Sequence, residues 1–163
     1  MKKTLSILVE NHAGVLSRIT GLFSRRGFNI DSLAVGVTDN PAISRITIVA
    51  DGDNYIFEQL EKQLNKLIEV IKVRSFDNDE ILQRELLITK ISVTAEKRSE
   101  IMSIAEIMGA KIIDISLKTM TLQICDTSVH LERFEELIKP YGIIEMVRTG
   151  MVAIQKGTNS LRV

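Results

Sequence analysis

Apolar positions in the first half of the chain switch between two spacings. Short runs rich in isoleucine and valine favour strands, because β-branched side chains pack well on a pleated sheet. These runs lie at residues 4–9, 29–38, 44–50 and 68–75. Between them, apolar residues recur at the spacing of one helix face. The two helical stretches contain Val15, Leu16, Ile19, Leu22 and Phe23, and then Ile56, Phe57, Leu60, Leu64 and Leu67. The predicted order is β-α-β-β-α-β, the ferredoxin-like split motif.

The same order recurs in the second half. Strand-like runs lie at residues 86–93, 111–117, 119–125, 143–147 and 152–154, and helical spacing lies at 101–108 and 131–138. The pattern therefore predicts an α+β protein with two tandem ferredoxin-like (βαββαβ) domains. We place the first domain at residues 1–76, a polar linker at 77–83 and the second domain at 84–163.

The strand at 29–38 is apolar on both faces in places, since it carries Ile30, Leu33, Val35 and Val37. Domains this small bury only about 60% of their unfolded surface. An exposed apolar edge strand needs a second sheet or chain to cover it. We therefore expect an obligate homodimer.

Charge and composition exclude several classes of function. Lys plus Arg and Asp plus Glu both number 21, so the net charge is zero and no phosphate-neutralising surface is expected. RNA-recognition modules of the same β-α-β-β-α-β order stack bases on aromatic residues, and strand 44–50 has none. No uncharged apolar run approaches the roughly 20 residues of a membrane span, and no secretory signal is present. We expect a cytoplasmic protein without nucleic-acid or membrane partners.

Candidate catalytic groups are few and isolated. The single cysteine, Cys125, lies in an apolar strand and is expected to pack in the core. His12 and His130 lack a carboxylate and a nucleophile at a recognisable spacing. The acidic run at 77–80 is typical of a solvated linker. We predict no catalytic residue and no metal site.

The junction from Glu10 to Leu16 reads Glu-Asn-His-Ala-Gly-Val-Leu and is the feature that remains. It delivers free backbone N–H groups at a helix N-terminus, where a carboxylate would be attracted. The amide of Asn29, which follows the same helix, could accept from an ammonium group. With Leu16 and Ile30 as apolar walls, such a site would suit a free aliphatic amino acid. A helix cap with a tight turn explains Asn11 and Gly14 equally well, and both interpretations stay open.

A family resemblance covers nearly the whole chain. Residues 10–19 and 21–30 closely resemble the ACT domain of acetohydroxyacid synthase (acetolactate synthase) small subunits. Further resemblance to that family lies in residues 44–49, 58–64, 84–86, 110–114 and 147–150. The first predicted domain is thus identified as an ACT domain.

The resemblance implies a regulatory subunit without catalytic residues. Its partner would be the catalytic large subunit, which carries thiamine diphosphate, Mg²⁺ and FAD, while this chain carries no cofactor. The large subunit joins two pyruvates, or pyruvate and 2-oxobutyrate, in branched-chain amino acid biosynthesis. The small subunit raises that activity and confers feedback inhibition, usually by valine, with leucine and isoleucine as alternatives.

The resemblance also implies the effector-binding residues. Asn11, His12, Ala13, Gly14, Val15 and Leu16 would hold the effector carboxylate, and Asn29 and Ile30 of the partner chain would complete the site. The second half departs from this pattern, since residues 94–97 lack a glycine and Lys111 stands where the first half has Asn29. We predict no effector there. Two other functions stay open: a free-standing ACT-type sensor that regulates another protein, and a structural dimerisation module whose loop binds nothing.

Overall fold

The computed structural model describes residues 2–162, and the chain divides into two units. The first unit comprises the chain up to Gln83 together with the segment from Met151 onwards. The second unit is Arg84–Gly150.

The first unit is built on a four-stranded antiparallel sheet. Its elements are β1 (Lys2–Glu10), α1 (Val15–Arg25), β2 (Ile30–Val37), β3 (Ile43–Asp51), α2 (Asn54–Leu64) and β4 (Val70–Phe76). The strand order is β2-β3-β1-β4, which places β2 at one edge. The predicted ferredoxin-like order is confirmed for this unit.

One face of this sheet forms the core with both helices. Alternate residues of β1 and β3 point towards α1 and α2, because successive side chains of a strand point to opposite faces. The fully buried members include Leu5, Ile7, Ile46, Ile48, Ile19, Phe23, Phe57 and Leu60. The helix α2 begins at an Asp53 cap, whose carboxylate accepts a hydrogen bond from the Ile56 amide at 2.9 Å.

The second unit repeats this arrangement. Its elements are β5 (Ile81–Ser92), which begins before Arg84, then α3 (Arg98–Met108), β6 (Lys111–Ile115), β7 (Thr119–Asp126), α4 (Ser128–Ile138), a 3₁₀ turn at Lys139–Tyr141 and β8 (Ile143–Arg148). The strand order is β6-β7-β5-β8. Leu87, Ile91, Ile101, Leu122 and Phe134 are buried in its core. The α+β prediction with two ferredoxin-like repeats is confirmed.

The last strand is grouped with the first unit, whereas the predicted domain boundary placed it in the second domain. β9 (Val152–Gln155) pairs with β5, and the Lys156 amide donates to the Glu80 carbonyl at 2.9 Å. Ala153 is buried with Phe76 and Ile81, which holds the end of the chain in the first unit. The second unit therefore ends at residue 150 rather than 163, and strand β5 begins inside the predicted 77–83 linker.

The prediction for Cys125 is wrong, because its side chain is exposed. In β7, Leu122 and Ile124 point into the core, so the alternation of the strand directs Cys125 to the opposite face. The apolar run predicted strand β7 correctly, but it did not predict which face of the sheet Cys125 lies on.

Candidate functional site

Asn11 fastens the loop between β1 and α1 to the β2–β3 hairpin. Its backbone amide donates to the Ala42 carbonyl at 2.8 Å, and its side-chain Nδ2 donates to the Pro41 carbonyl at 2.8 Å. Its Oδ1 accepts a hydrogen bond from Ser44 Oγ at 3.0 Å. The amide group of Asn11 is thus used within the chain, which gives this residue a positioning role in the loop.

His12 is exposed and contacts its own loop. Its Nδ1 lies 3.1 Å from the Ala13 carbonyl, and its Nε2 lies 3.2 Å from Glu10 Oε2. No nucleophilic side chain hydrogen-bonds to the ring among residues 2–162. This arrangement orders the loop and offers no catalytic geometry.

Gly14 ends the loop in a left-handed conformation, with φ of 90°, and α1 starts directly after it. A Cβ atom at this position would meet nothing within 4 Å, so the space in front of the helix is open. Helix α1 has no side-chain cap and no acidic residue in its first turn. Its first amides therefore keep free N–H groups at the positive end of the helix, which can receive a carboxylate.

The start of α1 is held by packing and by an ion pair. Val15 is 4% exposed and packs into the core, so it anchors the helix instead of lining the loop. Leu16 is 38% exposed and is available as an apolar wall. Arg18 pairs with the buried carboxylate of Glu69, which ties the first turn to the segment that precedes β4.

Asn29 and Ile30 lie at the other end of the sheet. Ile30 pairs with Ala50 in β3, whereas Glu10, which precedes the loop, pairs with Ile43. Ile43 and Ala50 are seven positions apart along β3, about 23 Å at a rise of ~3.3 Å per residue. The structure therefore does not bring the two halves of the predicted site together within one chain.

The side-chain amide of Asn29 makes one hydrogen bond within the chain. Its Nδ2 donates to Asp31 Oδ1 at 3.1 Å, and Asp31 also pairs with Lys2 at 3.2 Å. Its carbonyl oxygen has no hydrogen bond from any residue in the described part of the chain, and the residue is exposed. This oxygen can accept from an ammonium group.

The corresponding helix start in the second unit carries an acidic side chain. The Lys97 amide donates to the Thr94 carbonyl at 3.2 Å, which closes a turn before α3. Glu100 lies in the first turn of α3, and Lys97 Nζ lies 3.0 Å from its carboxylate. Hydrogen bonds from Tyr141 and from Lys97 hold the pKa of Glu100 below its ordinary value. The first turn of α3 thus carries a carboxylate of its own, which would repel an external one.

Residues 2–162 form neither a metal-binding cluster nor a membrane-spanning helix. No group of three or more His, Cys, Asp or Glu side chains is placed to hold a metal ion. None of the helices in this range has the length and apolar character needed to cross a bilayer.

Comparison with known proteins identifies both units. Residues 5–72 match the family model described as the AHAS small subunit-like ACT domain. Residues 84–157 match the family described as the small subunit of acetolactate synthase. The fold and the loop before α1 thus define a protein with an ACT domain followed by a second ferredoxin-like domain.

Full-length relatives agree with these matches. A probable acetolactate synthase small subunit from Archaeoglobus fulgidus is 45% identical over 157 residues, covering 96% of this chain and 98% of the relative. The acetolactate synthase small subunit of Bacillus subtilis is 44% identical over 160 residues, covering 97% and 92%. The crystal structure of the small subunit from Thermotoga maritima superposes with a TM-score of 0.91 at 36% identity, covering 98% and 99%. The chain belongs to the family of acetolactate synthase small subunits.

Proposed function

We propose that this chain binds a catalytic acetolactate synthase subunit, raises its activity and makes it sensitive to a branched-chain amino acid, most simply valine. Family membership supports the partner, and the uncapped start of α1 behind Gly14 supports the effector site. In this proposal thiamine diphosphate, Mg²⁺ and FAD belong to the catalytic subunit. Because the reaction uses small soluble substrates, the proposed location is the cytoplasm.

The proposed effector site is shared between two copies of the chain. Strand β2 lies at the sheet edge and exposes Val35 and Val37 at 47% and 58%. If two β2 edges pair antiparallel about a two-fold axis, the Val37 end of one strand lies beside the Ile30 end of the other. This pairing would bring the Asn11–Leu16 loop of one chain to the Asn29 and Ile30 of its partner, which one chain cannot do alone.

Each part of an amino-acid effector has a group to receive it. The carboxylate would accept from the free amides at the start of α1, and the ammonium group would donate to the Asn29 carbonyl. Leu16 and Ile30 would contact the aliphatic side chain. Valine buries about two more methylene equivalents than alanine, worth ~1.6 kcal/mol or roughly fifteenfold in affinity.

Regulation would follow from linkage. An effector that binds better to the less active complex shifts the population towards it, and a coupling of about 1–3 kcal/mol changes activity roughly 5- to 150-fold. Because the coupling is reciprocal, binding of the catalytic subunit must also change the affinity for valine.

Reconstitution with the catalytic subunit tests the proposal. Acetolactate formation should rise when the wild-type chain is added and fall when valine is added. Gly14→Asp and Gly14→Asn form a matched pair, since both side chains carry similar backbone strain at φ of 90° and only aspartate adds a charge. We expect Gly14→Asp to lose inhibition while stimulation remains, and Gly14→Asn to keep most of both. Equal inhibition of the two variants would refute the site.

The same assay separates the alternatives. A free-standing sensor would bind valine but neither co-purify with the catalytic subunit nor stimulate it. A structural dimerisation module would form dimers but would bind no amino acid and would show no response to one.

Complementation tests the shared site. A Gly14→Asp chain and an Asn29→Lys chain should each fail to bind valine as homodimers. A heterodimer purified with two affinity tags would contain one intact loop facing one intact Asn29. We expect it to bind one valine per two chains, and absence of binding would show that the site lies within a single chain.

A further inference from the structure

The end of the chain covers the second face of the first unit's sheet. The Met151 amide donates to Ser32 Oγ at 2.7 Å, and Lys72 Nζ donates to the Arg162 carbonyl at 2.9 Å. Leu161 is buried at 7% exposure. The residues from Met151 onwards are thus part of the first unit, opposite to the helices.

A cleft of about 880 Å³ lies between this segment and the tip of the β2–β3 hairpin. Leu8 and Arg45 come from the sheet, Thr38 from the hairpin, and Gln155 and Leu161 from the terminal segment. The volume falls within the range of small-molecule sites, and the lining combines apolar and polar groups as such sites do.

Arg45 in this cleft is half-buried and has no counter-ion. Its Nε donates to Ser6 Oγ at 2.9 Å, which leaves the two terminal nitrogens of the guanidinium. No carboxylate lies within ion-pair distance of it in the described range 2–162. Burial lowers the pKa of Arg45, as expected for a cation that has lost water without gaining an anion. Such a group favours an acceptor with negative charge.

Gln155 presents a second unmet polar group in the same cleft. Its Oε1 is buried and accepts no hydrogen bond from the residues that the structure describes. Rotation of the amide would exchange the oxygen for the Nε2 donor, so this position can serve either an N–H or an oxygen of a ligand. A buried polar atom without a partner is unfavourable, and a hydrogen bond from an occupant would offset that cost.

The remaining charges at the cleft are one of each sign. Arg162 and Asp39 both line it and both are exposed. With Arg45, the lining carries two positive charges and one negative charge, so the balance favours an anion.

We propose that Arg45 and Gln155 form a second ligand site in the first unit, for a small molecule that carries an oxyanion group, either a phosphate or a carboxylate. The site is distinct from the loop before α1, and it does not depend on the proposed regulatory function. The oxyanion accepts from the Arg45 guanidinium, and a neighbouring polar atom of the ligand bonds to the Gln155 amide.

We expect a ligand bound at this site to affect the position of the loop before α1. The hairpin that lines the cleft accepts two hydrogen bonds from Asn11, through the carbonyls of Pro41 and Ala42. A ligand that changes the hairpin would therefore change the position of the loop.

Calorimetric titration of the full-length protein with pyrophosphate and, separately, with succinate tests the site. We expect saturable binding of at least one, with the two probes separating a phosphate site from a carboxylate site. Arg45→Gln should weaken that binding at least tenfold, and Arg45→Lys should weaken it less. Arg133→Gln, an exposed arginine of the second unit, is the matched control and should leave binding unchanged.

Two results would overturn the proposal. One is the absence of saturable binding of either probe by the wild-type protein. The other is equal binding by wild type and by an Arg45→Gln protein that melts at the wild-type temperature. If Arg45→Gln does not fold, Gln155→Leu replaces it, and unchanged affinity in that variant counts against the site.

Discussion

The two units share one fold and differ where their first helix begins. Helix α1 follows a left-handed Gly14 and has no acidic residue in its first turn, whereas α3 carries Glu100 there, bonded to Lys97. An acidic side chain in the first turn satisfies the positive end of a helix. The two helix starts therefore differ in charge, since the first turn of α1 carries no acidic residue and Glu100 in the first turn of α3 would repel an external carboxylate.

A second contrast concerns charge inside each unit. The second unit holds Arg148 between Glu85 and Glu135, with contacts of 2.6 Å and 3.0 Å. In the first unit Arg18 pairs with Glu69 beside the proposed site, and Lys3 pairs with Asp77 at 2.9 Å. We therefore expect the three-residue cluster of the second unit to matter most for stability.

Loss of Arg148 is expected to have the largest effect on stability. Glu85 is only 7% exposed, and Arg148→Leu leaves its carboxylate buried without a counter-ion, with only the hydrogen bond from Ser128 Oγ at 3.3 Å. We expect the free energy of unfolding to fall by about 3 kcal/mol, measured by urea denaturation. Arg133→Leu, an exposed control, should change it by less than about 0.5 kcal/mol. A loss below 1 kcal/mol for Arg148→Leu would contradict the role of this cluster.

Exchanging the residues at the two equivalent positions tests the contrast in binding. Asn29→Lys places a cation where the effector ammonium is proposed to lie, and we expect valine affinity to fall by roughly 10- to 150-fold. Lys111→Asn in the second unit should not create a site, because Glu100 in the first turn of α3 would still repel the effector carboxylate. Calorimetric titration measures the valine affinity of both variants. A second valine bound by Lys111→Asn would contradict the claim that the second unit cannot bind the effector.

Asn11→Ala should have a smaller effect. It removes the hydrogen bonds to Pro41 and Ser44, each worth about 1 kcal/mol. We therefore expect the free energy of unfolding to fall by ~1–2 kcal/mol. Thr94→Ala is the control from the loop before α3, since only its backbone carbonyl accepts from Lys97. Equal thermal shifts for the two variants would show that Asn11 does not position the loop.

The smallest effect is the pH dependence of the Glu100 cluster. Because the folded pKa of Glu100 is lowered, its contribution to stability is present above the unfolded pKa and is lost as pH falls through the folded value. Tyr141→Phe removes the largest cause and should raise the pKa of Glu100, as followed by carboxyl NMR. An unchanged titration curve would exclude this hydrogen bond.

Local periodicity predicted the element order of both units, because strands and helices leave distinct apolar spacings. The same signal could not assign β9, since Val152–Gln155 fits any sheet, and only its pairing with β5 and the packing of Ala153 against Phe76 and Ile81 place it. Nor could it assign the face of Cys125 within β7.

The candidate site shows the same limit. Sequence identified the helix start at Gly14, whose left-handed conformation is typical of glycine. It missed that the Asn11 side chain bonds to residues 30 and 33 positions away, so that Asn11 positions the loop. The cleft at Arg45 also joins distant segments, and no local pattern reports it.

The number of valine molecules bound by the wild-type protein tests the proposed effector site most directly, measured by calorimetric titration with leucine, isoleucine and alanine for comparison. We expect saturable binding of one valine per chain, with alanine roughly fifteenfold weaker, and loss of binding in Gly14→Asp but not in Gly14→Asn. Two valines per chain, or one that persists in Gly14→Asp, would contradict the claim that the first unit alone carries the effector site.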